Sequence, residues 1–225
     1  MGVYINCMNG PIEKDDEYEI LGANTNETVS QSKNSKNNQL SISPQVPINT
    51  DIKILDLNQN TYLFIGNQTK DNDHNVFACK QDGFKTENFE KRTTFVITPT
   101  NDGYYRIMDK DHQSFLFIGN SLDNDDRTTY ACQQKYWKNE NDFKIRAAFS
   151  ILPESNNDFN NDNNNFDNNV DNKDVKWRIY DWKHNSYLFV GNSEEGGDHT
   201  VYSVPLDKFN SEPNEWNKRT LFRLN

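Results

Sequence analysis

No apolar run in this 225-residue chain comes near the roughly 20 residues a membrane helix needs, so no membrane span is expected. Cysteine is scarce. Three Cys is an odd number, and Met1-Gly2-Val3-Tyr4-Ile5-Asn6-Cys7 lacks the basic, then apolar start of a secretory leader, which points to reduced thiols in a cytoplasmic protein. Gly2 resembles an N-myristoylation start, but Asn6 stands where that motif takes Ser or Thr. Positive charge is also short: 24 Lys and Arg against 34 Asp and Glu leave a net charge of −10. Nucleic acid and anionic membranes are therefore not expected as partners through a general basic footprint, although a local basic patch is compatible with the composition. Missing too are Gly-x-Ser-x-Gly, a phosphate-cradling Gly loop, His-Glu-x-x-His and a Cys beside a base. The four His are scattered without ligand spacing, so the chain is expected to be no enzyme, with no catalytic residue, no metal site and no cofactor.

What is present is one stretch that occurs three times: Tyr62-Leu63-Phe64-Ile65-Gly66-Asn67, Phe115-Leu116-Phe117-Ile118-Gly119-Asn120 and Tyr187-Leu188-Phe189-Val190-Gly191-Asn192. Other residues recur at fixed offsets from its Gly. Ten residues before stand Asp56, Asp109 and Asp181, and seven after stand Asp73, Asp126 and Asp198, followed by His74, Arg127 and His199. Then come the aromatics Phe77, Tyr130 and Tyr202, and after them Cys79, Cys132 and Val204. Each repeat closes on Arg92 to Phe95, Arg146 to Phe149 or Arg219 to Phe222, with Phe89, Phe143 and Trp216 six residues before the final Phe. Self-similarity at this density settles architecture before propensity does.

Each repeat reads as four short strands of 4 to 6 residues, separated by Asn, Asp, Gly and Lys turns. The Gly anchors are 53 and then 72 residues apart, and the excess is a low-complexity Asn/Asp insertion at 155–174. The expected fold is all-β: a β-trefoil at 51–225, with repeats at about 51–101, 102–154 and 175–225 and a disordered insertion between the last two. Residues 1–50 form an N-terminal extension and polar linker, whose residues 1–21 could add a strand to the domain or to a partner chain. The threefold Gly are read as points of φ > 0 or close approach, and the aromatics at 77, 130 and 202 and the closing Phe as core. The Asp at 56, 109 and 181 and the Arg at 92, 146 and 219 are read as turn hydrogen bonds or an inter-strand ion pair.

The run from Tyr187 to Gly191, then Asp198-His199-Thr200-Val201-Tyr202-Ser203 with Arg219 and Phe222, resembles the trefoil domain of the insect 30-kDa haemolymph lipoproteins. More distantly the layout is similar to ricin-B-type lectin trefoils, with Phe95, Phe149 and Phe222 at the closing positions in place of their Gln-x-Trp. The lectin resemblance implies a ligand at the loop between the second and third strands of each repeat. Each loop here holds a polar set suited to sugar hydroxyls: Asn67, Asp73 and His74; Asn120, Asp126 and Arg127; Asn192, Asp198 and His199. Two functions follow: a lectin-like module for carbohydrate or glycoprotein, or a structural, storage or protein-interaction trefoil that self-associates through residues 1–21. On the second, deleting residues 1–50 changes the mass of the protein in solution by light scattering; an unchanged monomer contradicts it.

Overall fold

Strand formation follows from local pattern. Between Asp126 and Gln133 buried and half-buried residues largely alternate, and a residue with a left-handed backbone stands just before each of the second and third strands of a repeat. Asn60, Gln113 and Asn185 have φ of 58°, 53° and 52° at one turn of each repeat. Asn72, Asp125 and Gly197, with φ of 71°, 71° and 94°, occupy the next. Asn, Asp and Gly are the residues that reach this region most cheaply.

A computed structural model describes residues 44–70, 72–84, 86–123, 125–154 and 175–225. The expectations for residues 1–43 and for the insertion at 155–174 lie outside the described residues. The first repeat holds β1 (Asp51–Ile52), β2 (Ile54–Asp56), β3 (Thr61–Lys70), β4 (Asp73–Cys79), α1 (Thr86–Arg92) and β5 (Phe95–Pro99). The second holds β6 (Tyr105–Asp109), β7 (Ser114–Asp123), β8 (Asp126–Gln133), α2 (Glu140–Arg146) and β9 (Phe149–Pro153). The third holds β10 (Trp177–Asp181), β11 (Ser186–Glu195), β12 (Asp198–Pro205), α3 (Leu206–Ser211), α4 (Pro213–Arg219) and β13 (Phe222–Leu224).

Two closed rings of strand pairing organise the sheet. In one, β1 pairs β5, β5 pairs β6, β6 pairs β9, β9 pairs β10, β10 pairs β13 and β13 pairs β2. Lys53 separates β1 from β2 and bonds Asn225 through both backbone groups, which closes the circuit. In the other, β4, β8 and β12 pair with one another in all three combinations. Closure leaves few free edges, and one core fills the interior. Ile54, Ile107 and Ile179, Leu63, Leu116 and Leu188, and Phe95, Phe149 and Phe222 are all fully buried in it.

Three expectations need correction. The strands are not uniformly short, because β3, β7 and β11 each run ten residues, so the presumed 67–74, 120–127 and 192–199 loops are the ends of long hairpins. Helices stand between the third and fourth strands; six or seven residues are too few to display helical periodicity in sequence. The aromatics Phe77, Tyr130 and Tyr202 are half-buried and outside the main core, Tyr202 packing on the smaller cluster of Phe189, Val204 and Trp216, because alternation points their neighbours Val76 and Ala78, or Val201 and Ser203, inward instead.

Those aromatics explain the Gly. Gly66, Gly119 and Gly191 lack positive φ, but a Cβ there would meet a ring carbon of Phe77, Tyr130 or Tyr202 at 2.9, 2.7 or 2.8 Å. The ring lies over the bare backbone and against Phe64, Phe117 or Phe189, with centroids 5.8 Å apart in every case. Gly119→Ala therefore destabilises the fold by about 1–3 kcal/mol in urea unfolding. Combined with Tyr130→Leu, the two losses are less than additive, since the second change removes the clashing ring.

Candidate functional site

The turn after the first strand of each repeat is built on a buried carboxylate. Asp56 Oδ2 accepts from the Gln59 backbone N–H at 2.8 Å, Asp109 Oδ2 from His112 at 2.6 Å and Asp181 Oδ2 from His184 at 3.0 Å. The expected turn hydrogen bonds are present; the inter-strand ion pair is not the role of the Arg. Arg146 and Arg219 instead pair within their own helices, with Asp142 at 3.6 Å and Glu215 at 2.8 Å. Arg92, Arg146 and Arg219 also lie over the rings of Phe64, Phe117 and Phe189, at 4.6, 4.8 and 4.9 Å.

The residue three after each Asp reaches the neighbouring repeat. Gln59 Nε2 donates to the Val190 and Gly191 carbonyls at 3.1 and 2.9 Å. His112 faces His74 with ring centroids 4.8 Å apart, and its Nδ1 donates to Asp109 Oδ2 at 2.9 Å. His184 Nε2 lies 3.1 Å from Asn120 Oδ1. The turns thus latch the first repeat to the third, the second to the first and the third to the second.

The nine residues singled out from the sequence sit along these seams. Asn67, Asn120 and Asn192 are exposed near the hairpin ends. His74 is buried and donates from Nδ1 to the Gly66 carbonyl at 2.8 Å, and buried His199 stands opposite Ala78 of the first repeat. Arg127 donates to the Asn120 carbonyl. Asp73 stands opposite Cys132, and Asp198 accepts from the Cys79 thiol. Burial first, and then that carboxylate, push the Cys79 thiol up to about 11. Beside Ser203, which pairs with Arg127, the third repeat has Val204, which offers no donor, and Asp126 binds Lys208 Nζ at 3.0 Å instead. Fixed offsets in the sequence signalled that these residues matter; they could not signal that they work between repeats.

A surface groove of about 740 Å³ lies at the other end of the first hairpin, lined by Asn60, Tyr62, Lys80, Gln81, Asp82, Phe84, Phe89 and Glu90. None of the nine lines it. Tyr62 and Phe84 each meet Phe89 edge-on, at 5.0 and 5.5 Å, and form its apolar wall. Lys53 holds Glu90 at 2.5 Å on the rim. Sequence reasoning missed the groove because its residues come from a strand start, a 3-10 turn at Gln81–Gly83 and a helix, each unremarkable alone. No group of three or more His, Cys, Asp or Glu placed to hold a metal occurs among the described residues, and no helix among them is long and apolar enough to cross a membrane.

Comparison with family profiles and with curated proteins finds no match. Solved structures do resemble the chain. A Caenorhabditis elegans protein of unknown function aligns at TM-score 0.56 and 11% identity over 82% of this chain and 98% of its own. A Culex quinquefasciatus salivary protein of the Cysteine and Tryptophan-Rich family aligns at 0.53 and 16%, over 82% and 97%. ThreeFoil, a designed 3-fold symmetric protein, aligns at 0.50 and 11%, over 77% and 96%. The fold is mostly β and trefoil-like; at such identity the likeness reaches no further.

Burial of Asp56 raises its carboxyl from 3.8 to about 6, against the opposing Gln59 and Asn58 backbone bonds and the Arg219 charge. Burial raises Asp109 as well. A folded pKa above the unfolded one gives stability that is complete at low pH and is lost as pH rises through the folded value. The protein is therefore more stable at about pH 5 than at about pH 7.5, with about 1.4 kcal/mol of the difference from Asp56. Asp56→Asn flattens this part of the profile in urea unfolding.

Proposed function

We propose that the chain is a non-enzymatic, lectin-like protein that binds carbohydrate, built as three four-stranded units, β2–β5, β6–β9 and β10–β13. The observation that carries the reading is the groove. It sets the rings of Tyr62 and Phe84 beside the amides of Asn60 and Gln81 and the carboxylates of Asp82 and Glu90. A sugar needs both an apolar face to lie on and paired donors and acceptors for its hydroxyls, and a cleft of this size suits one or two rings. The exposed Asn67, Asn120 and Asn192 offer further hydroxyl contacts at the hairpin ends, with Asp73, Asp126, Arg127 and Asp198 half-buried behind them. His74 and His199 serve this reading from within the hairpins. The likeness to the insect 30-kDa proteins is one of motif and lends it no ligand. A cytoplasmic location belongs to the same reading and rests on the sequence alone.

A structural or protein-interaction trefoil without a sugar ligand is the second reading. It draws on the engagement of the hairpin residues by neighbouring repeats, which leaves fewer of them free for a ligand.

A glycan array followed by calorimetry on folded protein tests the choice. Binding of a sugar that Asp82→Asn weakens roughly tenfold, about 1.4 kcal/mol, is expected. Failure of every glycan to bind favours the second reading.

A further inference from the structure

The seam between the second and third repeats concentrates positive charge in a chain whose net charge is −10. Asn120 ties two of its side chains together. Its carbonyl accepts from Arg127, and its Oδ1 lies 3.1 Å from His184 Nε2. Lys183 precedes His184 on the turn between β10 and β11 and is exposed. Partial desolvation, and then the Arg146 and Arg127 charges, hold the Lys183 ammonium below the usual lysine range, with Asp142 and Asp181 acting against them.

Three of the carboxylates nearby are already held, and Asp123 and Asp125 stand exposed at the tip of the Arg127 hairpin. Arg146 takes Asp142 at 3.6 Å, His184 takes Asp181 at 2.6 Å and Lys208 takes Asp126 at 3.0 Å. Arg127 and Lys183 have no ion pair among the described residues, so their charges are left over.

The other two seams carry no such surplus. Where the third repeat has Lys183, the second has Asp111, paired with Lys91 at 2.9 Å, and the first has Asn58. Where the second repeat has Arg127, the first and third have buried His74 and His199. A threefold scaffold has therefore placed two unpaired cations and an imidazole together at one of three equivalent points.

We propose that Arg127 and Lys183, beside His184, form a subsite for an oxyanion, the carboxylate or sulfate of an acidic sugar. The anion takes the Arg127 guanidinium and the Lys183 ammonium, while Asn120 holds His184 beside them. The sugar as carrier rests on the carbohydrate reading above; the cation cluster does not.

Calorimetry on the full chain, with glucose, glucuronic acid, glucose 6-sulfate and inorganic sulfate as probes, tests this. The two acidic sugars bind more tightly than glucose and lose affinity with added NaCl. Lys183→Gln and Arg127→Gln each weaken them roughly five- to tenfold, whereas Lys135→Gln leaves them unchanged. Lys183 is exposed, so its variant keeps the test valid even if the Arg127 variant folds poorly. Acidic sugars that bind no better than glucose, or that ignore both substitutions, overturn the subsite. Inorganic sulfate binding as tightly as glucose 6-sulfate overturns the sugar as its carrier. If glucose binding depends on Asp82 and the acidic sugars gain nothing from Arg127 and Lys183, the groove reading stands while this inference falls.

Discussion

The mutual pairing of β4, β8 and β12 is the constraint on which the rest of the molecule depends. A single hairpin such as β3 with β4 cannot bury Leu63, Ile65, Val76 and Ala78 against anything of its own. Brought together with the other two hairpins, the same side chains become one core. Because each hairpin needs both others, no repeat has a fold to adopt by itself.

That dependence explains why so many polar residues recur. The buried Asp at 56, 109 and 181 shape turns whose fourth residue reaches across to the neighbouring repeat. Asp73 stands opposite the second repeat's Cys132, Asp126 is held by the third repeat's Lys208 and Asp198 acts on the first repeat's Cys79. Recurrence of a polar residue in a repeat protein therefore marks a shared seam before it marks a ligand. In this acidic chain such seams also hold carboxylates out of water, and burial outweighs the turn hydrogen bonds at Asp56 and Asp109.

Departures from threefold symmetry are where individual chemistry has room to appear. Val204 in place of Cys frees Asp126 for Lys208. Lys183 in place of Asn58 and Asp111 leaves charge unpaired at one seam. In the third repeat α3 replaces the 3-10 turn of the others, so the groove of the first repeat has no direct copy there. A scaffold held by symmetric contacts tolerates such differences because they fall at turns and rims, away from the interdigitated core.

The sequence by itself determined a mostly β, trefoil-like fold and most of the core, since strand alternation and fixed offsets are local properties that survive in one dimension. It identified the recurring Asp, Gly and closing Phe residues and read the turn role of Asp56 correctly. The tertiary structure alone decided which neighbours those residues meet. Offsets align Trp216 with Phe89 and Phe143, yet in space Trp216 lies 5.0 Å from Phe189, as Phe84 and Trp137 lie 5.1 and 5.0 Å from Phe64 and Phe117. Phe209, from α3, takes the other place, 4.8 Å from Tyr187, as Phe89 does beside Tyr62 and Phe143 beside Phe115 at 5.0 Å. Two aromatics have exchanged roles between repeats, and only packing could reveal it: a ring fills whatever space its backbone brings it to, and sequence position records no distance across a seam.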